Sequence, residues 1–226
     1  QSGIPRARIY DILRTLKKRG FVAEASKGIF VPLPPDELIK QLRRNYEADL
    51  DRFEALAKEI QTPADHDFIW TVSGYQRVMD KAREMIDTAR REIYIRLFPQ
   101  EVETLVWALK KAEKKVVPVK FIFMEPFPKT FAIQVIHPQH EVVESNLGGR
   151  SFDLEVDKEE FIGGMFTTEN TETCRINWGR NRWFVTAGRD SLRHDFFHYF
   201  LYKTHTLREP LDDHEKKLYE IILNDM

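Results

Sequence analysis

The sequence predicts an α/β protein made of a basic helix–hairpin head, one long helix and a body of alternating strands and helices. Three observations predict it. Residues 6–19 set cations around an apolar stripe of helical period; residues 36–60 keep that period for some seven turns. From residue 68 onward, short β-rich runs alternate with amphipathic ones, the pattern of helices packed on a mostly parallel sheet.

In chain order, Pro5 suits a first helical turn, and Ile9, Ile12, Leu13 and Leu16 recur as one buried stripe. Lys17, Lys18 and Arg19 favour the negative end of the helix dipole, and Gly20 stops the helix. Two apolar runs around Ser26, Lys27 and Gly28 then predict a hairpin with a basic tip. Helix plus hairpin reads as the second half of a winged helix-turn-helix. The long helix 36–60 carries Leu38, Leu42, Tyr46, Leu50, Phe53, Leu56 and Ile60 as a narrow seam flanked by both charge signs. Such a seam pairs with another long helix, although its spacing is not a clean heptad.

Thr62 to Asp65 read as a linker. The body is predicted as strand 68–72, helix 74–91, strand 92–98, helix 99–115 and strand 117–124. Strands follow at 131–136, 150–156, 160–166 and 174–178, then a helix at 189–205. After Pro210 a last helix turns Leu218, Ile221 and Ile222 inward. The predicted domains are 1–34, 35–62, 63–209 and 210–226.

Composition narrows the classes. With 226 residues, 42% of them hydrophobic, the chain suits one large domain or two modest ones. It holds no apolar run of membrane-spanning length and no secretory leader is read. Cys174 is the single cysteine, which excludes an internal disulfide and a multi-cysteine zinc site. A reducing cytoplasm is the expected location. Residues 1–20 hold six Lys and Arg against Asp11 alone, a local charge of +5 on a chain whose net charge is −1. That asymmetry suits a surface facing a polyanion, or simply a solvated basic helix face.

Three patterns could carry chemistry. His194 and His198, at i and i+4 with Asp195 between them, resemble a zinc-binding HExxH with Asp for Glu. No downstream third ligand is evident beyond His205 on the same helix, so these histidines read as core or surface residues. His214-Glu215-Lys216 begins the HxKxxxxD phosphodiesterase motif, but Ile221 stands where Asp is required and no second HxK exists. It reads as a solvated face of the last helix. Gly148-Gly149 and Gly163-Gly164 fit neither phosphate-cradling spacing and read as turn glycines beside strands. No catalytic residue, metal or cofactor is assigned.

The stretches SGIPRARIYDILRTLKKRGFV, GYQRVMDKAREMI, LGGRSFDLEVDKEEFIGGMF and NWGRNRWFVTAGRDSLRHDFF, with the helix after PLPPDELI, resemble the TrmB family of transcriptional regulators. The resemblance implies a winged helix-turn-helix, a dimerising helix and an effector domain like phospholipase D without its chemistry. It also implies two helices ahead of residue 6, so 1–34 matches a partial head, and it carries over no sugar ligand. Double-stranded DNA is then the expected partner, with Arg6, Arg8, Tyr10 and Arg14 reaching into the major groove and Lys27 touching backbone. A homodimer is expected through residues 36–60. Trp178, Arg180, Asn181 and Trp183 either line a pocket for a small-molecule effector or are buried tryptophans satisfied by an arginine. A phosphodiesterase or nuclease, and a protein-interaction module, are the competing functions.

Overall fold

The computed structural model describes residues 6–59, 68–128, 130–167 and 174–225. The chain divides into two compact units, residues 1–63 and 64–226. Pro5, Ile60 and the linker expected at 62–65 lie outside the described residues.

In the first unit, α1 (Arg6–Lys18) leads into the antiparallel hairpin β1 (Val22–Ser26) and β2 (Ile29–Pro32), then α2 (Pro35–Glu59). Gly20, at φ 75°, closes α1. Its N–H donates to Lys17 O at 3.0 Å and the Phe21 N–H donates to Leu16 O at 2.9 Å, which together satisfy two terminal carbonyls. Ile9, Leu13 and Leu16 are half-buried as expected, but Ile12 is exposed. The hairpin is a narrow partner and leaves the edge of the stripe in water. Gly28, at φ 82°, makes the hairpin turn. In α2, Asp36 and Glu37 sit in the first turn and Lys58 in the last, each matched to the helix dipole. None of its residues is buried. Gln41 Nε2 donates to Arg19 O at 2.9 Å and ties α2 to the end of α1.

The second unit is a seven-stranded mixed sheet between two layers of helices. Its elements are β3 (Ile69–Ser73), α3 (Tyr75–Thr88), β4 (Ile93–Leu97), α4 (Pro99–Lys114), β5 (Val119–Phe123), β6 (Ile133–Ile136) and α5 (His140–Leu147). There follow β7 (Gly149–Val156), β8 (Glu160–Thr167), β9 (Arg175–Gly179), α6 (Arg182–Leu201) and α7 (Asp213–Leu223). The spatial order is β3-β9-β8-β7-β4-β5-β6.

The sheet is not mostly parallel. Among the described residues only β4–β5 and β5–β6 pair in parallel; β3–β9, β9–β8, β8–β7 and β7–β4 are antiparallel. The parallel pair β4–β5 needs a crossover, which α4 supplies, whereas the close succession of β7 and β8 permits a hairpin. One sheet face carries Ile93, Ile95, Leu97, Phe121, Phe123, Phe152 and Ile162 against Met79, Met85 and Ile86 of α3 and Val102, Leu105 and Leu109 of α4. The opposite face carries Tyr94, Ile122, Val135 and Phe161 against Leu192, Phe196 and Phe200 of α6 and Leu218 and Ile222 of α7. Alternation along β4 thus sends successive side chains to different helix layers.

Several boundaries move. Helix α3 ends at Thr88, not 91, because the Asp157 carboxylate accepts the backbone N–H groups of Arg90, Arg91 and Glu92 at 2.7–2.9 Å. Helix α6 begins at Arg182, not 189, because the Asn181 side chain accepts the Phe184 N–H at 2.8 Å as an N-cap. Helix α5 was not expected; it is short and ends at Gly148, whose φ of 74° suits glycine. Gly149, Gly163 and Gly164 lie inside strands, not in turns. In α7, Leu218 and Ile222 face inward, but Ile221 is exposed. No helix of the described residues is long and apolar enough to cross a membrane.

Candidate functional site

The first unit presents two surfaces. On the head, Arg8, Tyr10, Arg14 and Lys27 are all exposed, with Tyr10 at 59%. Arg6 opens α1, and nothing beyond its backbone placement is described. At about 100° per residue, Tyr10 and Arg14 share one side of α1, roughly 100° around the axis from Ile9 and Leu13. Arg8 lies apart from them, lining a shallow recess with Ile12 and Leu16. Arg14 pairs loosely with Asp11 at 3.6 Å. Lys17 donates to Glu24 at 2.7 Å, which lowers the Glu24 carboxyl below its usual range and braces helix against hairpin. Lys27 occupies the turn itself, so its charge stands at the hairpin tip.

The second surface is the seam of α2. Leu42, Tyr46, Leu50, Phe53 and Leu56 are all exposed, Phe53 to 70%. A helix this long with a bare apolar seam gains little from solvent alone, since helix stability in proteins comes mainly from packing an apolar face.

In the second unit, the four residues read as an effector cluster separate. Trp178 Nε1 donates to Glu160 Oε1 at 2.6 Å, and Arg180 Nη2 donates to Glu160 Oε2 at 3.3 Å. Lys81 Nζ stands 4.0 Å from the centre of the Trp178 ring and 3.2 Å from Glu160. Glu160, buried at the start of β8, therefore organises this corner. Asn181 is spent on capping α6, and Trp183 is 77% exposed. Arg180, with Arg90, Arg91 and Glu160, lines a polar cleft of about 500 Å³.

The histidines of α6 also separate. His194 is exposed, while Asp195 and His198, one helical turn apart on one face, turn toward the end of β6. There His137 meets them. Its Nε2 is 3.9 Å from Asp195 Oδ1, and its ring centre is 5.4 Å from that of His198. Burial pushes the His137 imidazole below its usual range, His198 and Arg96 adding to this against the pull of Asp195. The other Asp195 oxygen accepts from Arg96 Nη1 at 2.5 Å. The sequence offered no local sign of His137, because its partners are far along the chain and only the sheet brings β6 to α6.

The phosphodiesterase pattern fares differently. His214 and Lys216 are exposed as expected of a solvated face, but Glu215 between them is buried. Counting HxKxxxxD back from Asp157 places Arg150 and Phe152 where His and Lys would stand. Arg150 pairs with Glu101 at 3.0 Å, Phe152 is in the core, and Asp157 is occupied by three backbone donors.

Comparison with known proteins places these units. Residues 68–160 match the family described as transcriptional regulator TrmB, EBD N-terminal subdomain. YrhO of Bacillus subtilis (strain 168), described as uncharacterized, is 27% identical over 216 residues, 94% of this chain and 77% of that protein. The HTH-type sugar sensing transcriptional regulator TrmBL1 of Pyrococcus furiosus is 31% identical over 117 residues, which are 49% of this chain and 34% of TrmBL1. Among solved structures, TrmBL2, described as an archaeal chromatin protein with a novel mode of DNA binding, aligns at 19% identity and a TM-score of 0.44. That alignment covers 84% of this chain and 81% of TrmBL2. The family match thus lies on β3 to β7, and this part of the chain is similar to the TrmB family of transcriptional regulators.

Proposed function

We propose that this protein is a dimeric, DNA-binding transcriptional regulator whose α/β unit is a sensor without phosphodiesterase chemistry. The observation that carries the proposal is the first unit itself: an exposed cationic helix and hairpin tip joined to a long helix with a bare apolar seam. In this reading Arg14 and Tyr10 reach DNA from α1, Arg6 and Arg8 support them, and Lys27 meets phosphate as the wing of a winged helix-turn-helix. Two copies pair through α2 and carry two heads, which suits half-sites about one helical turn apart. The family match over residues 68–160 and the similarity to TrmBL1 support the regulatory role.

The absence of catalysis rests on Arg150, Phe152 and Asp157. A phosphoryl-transfer site needs a free nucleophile and a free cation, and at these positions stand an ion-paired arginine, a core phenylalanine and a fully engaged carboxylate. Trp178, Arg180 and Glu160 beside the polar cleft are the proposed effector corner, with Asn181 and Trp183 at its margin.

The test is binding of the full-length protein to double-stranded DNA across a salt series. Affinity is expected to fall steeply with salt as counterions are released, and Arg14→Ala and Lys27→Ala should each reduce the salt slope by about 1. Salt-independent binding, or none at low salt, would refute the proposal. Turnover of a generic phosphodiester would refute its non-catalytic half.

A further inference from the structure

We infer that His137, Asp195 and His198 form a binding site for a divalent transition-metal ion, clamping the edge strand β6 to helix α6. One donor atom from each residue lies within 4.8 Å of the other two. Two imidazoles and one carboxylate are the donor set that first-row dications such as Zn²⁺ take with three protein ligands, a water completing the shell. Zinc ligands about 2.0–2.1 Å from a tetrahedral ion stand roughly 3.3 Å from one another, so the cluster needs only small side-chain rotations to close.

The surroundings are built to hold these donors. His137 follows β6 directly, and its N–H donates to Phe123 O at 2.8 Å, which continues the sheet by one rung and fixes the backbone. Asp195 and His198 share one face of a twenty-residue helix. Arg96 takes one oxygen of Asp195 and leaves Oδ1 directed toward His137, the outer hydrogen bond that orients a ligating carboxylate. Arg96 is itself held by Asp153 at 2.7 Å. The three charged groups sum to one negative charge, so a dication is compensated in part and not repelled.

A second observation concerns the ring nitrogens of His137. Among the described residues His137 Nδ1 is buried with no hydrogen-bond partner, and Nε2 is too far from Asp195 for a hydrogen bond at 3.9 Å. A buried ring nitrogen left unpaired in this way costs stability unless something coordinates it. His137 also lines an open cleft of about 530 Å³ with His140, Tyr202 and Lys203, which supplies an entry path and room for water.

The site lies at the carboxyl ends of the parallel strands β4, β5 and β6, where open α/β sheets place their ligands. It is independent of the DNA-binding proposal, since no residue of the first unit takes part.

The experiment is equilibrium dialysis of the chain, first stripped with chelator, against Zn²⁺, and separately Co²⁺ and Ni²⁺, with metal analysis and thermal melts. One equivalent is expected to bind and to raise Tm, since an ion that binds only the folded state stabilises it. His137→Ala and His198→Ala should each weaken binding by on the order of 100-fold or more, given that outer-shell changes alone cost 10–100-fold. His194→Ala and His205→Ala, outside the cluster, should bind as the parent does. Circular dichroism of each variant separates lost binding from lost folding; should His137→Ala not fold, His137→Gln replaces it. Tetrahedral Co²⁺ absorption bands lost in His198→Ala alone among the α6 histidines would support the assignment. No equimolar binding by any of the three ions, or equal loss in His194→Ala, would overturn it.

Discussion

Arg96 on β4 donates from Nη1 to Oδ2 of Asp195 on α6 at 2.5 Å, joining the sheet to the helix that covers it. The same guanidinium donates to Asp153 Oδ2 on β7 at 2.7 Å. Burial works against its charge, but the two carboxylates outweigh that and raise its proton affinity. Burial raises the Asp153 carboxyl above its usual range even with Arg96 pulling it down.

Arg96→Ala leaves two carboxylates inside without their cation and is expected to cost about 3–5 kcal/mol. The loss depends on pH. With its folded pKa raised, Asp153 favours the folded state when protonated, and that gain disappears as pH rises through the folded value. Urea melts should therefore show a smaller loss near pH 5 than near pH 8. An equal loss at both would contradict the ion-pair account.

Glu215 shows the opposite sign. It forms a reciprocal capping box with Asp212, both bonds 2.8 Å, and accepts from Tyr199 Oη at 2.6 Å and from Lys203. Burial alone would raise its carboxyl, but these donors outweigh burial and hold it below the usual range. Its contribution is present above the ordinary glutamate pKa and is lost as pH falls through the depressed one. Glu215→Gln should cost about 1–3 kcal/mol at neutral pH. Thermal melts of variant and parent should converge in acid.

Phe161 sits between two glycines. A Cβ at Gly163 or at Gly188 would come within 2.5 Å of its ring, so sheet and helix α6 approach this closely only because both positions lack side chains. Each Gly→Ala change should cost about 1–3 kcal/mol by overpacking. Phe161→Leu should recover part of the loss at Gly188, a non-additivity that a double-mutant cycle measures.

For the proposed dimer, Leu50→Glu or Phe53→Glu places a charge in the α2 seam. Sedimentation should show the parent as a dimer and either variant shifted toward monomer, with the α/β unit still folded by near-ultraviolet dichroism. An unchanged dimer would move the interface elsewhere.

Much of the fold is legible in the sequence because its signals are local. The periodicity of residues 9–16, the Gly20 stop and the turn at Lys27-Gly28 each depend on neighbours within one turn, and all appear in the structure. So do the strands at 92–98 and 117–124, whose β-branched and aromatic runs make nearly continuous buried stretches. The early start of α6 is also a local signal, since Asn181 is a strong N-cap before an apolar run.

What escaped the sequence depends on distant partners. Strand direction is one case, since the same run of β7 reads alike whether its neighbour is parallel or antiparallel. The site is another. Sequence spacing pairs His194 with His198 and leaves Asp195 between them, but the helix turns His194 to solvent.

Local chemistry by itself determined most helices, most strands and the charged head of this protein, because capping, periodicity and turn geometry act over a few residues. The tertiary structure alone decided that Glu160 gathers Trp178 and Arg180, and that His137 meets Asp195 and His198. Those meetings are set by the sheet order and the docking of α6, which come from burying two apolar faces at once and are written in no short stretch of the chain.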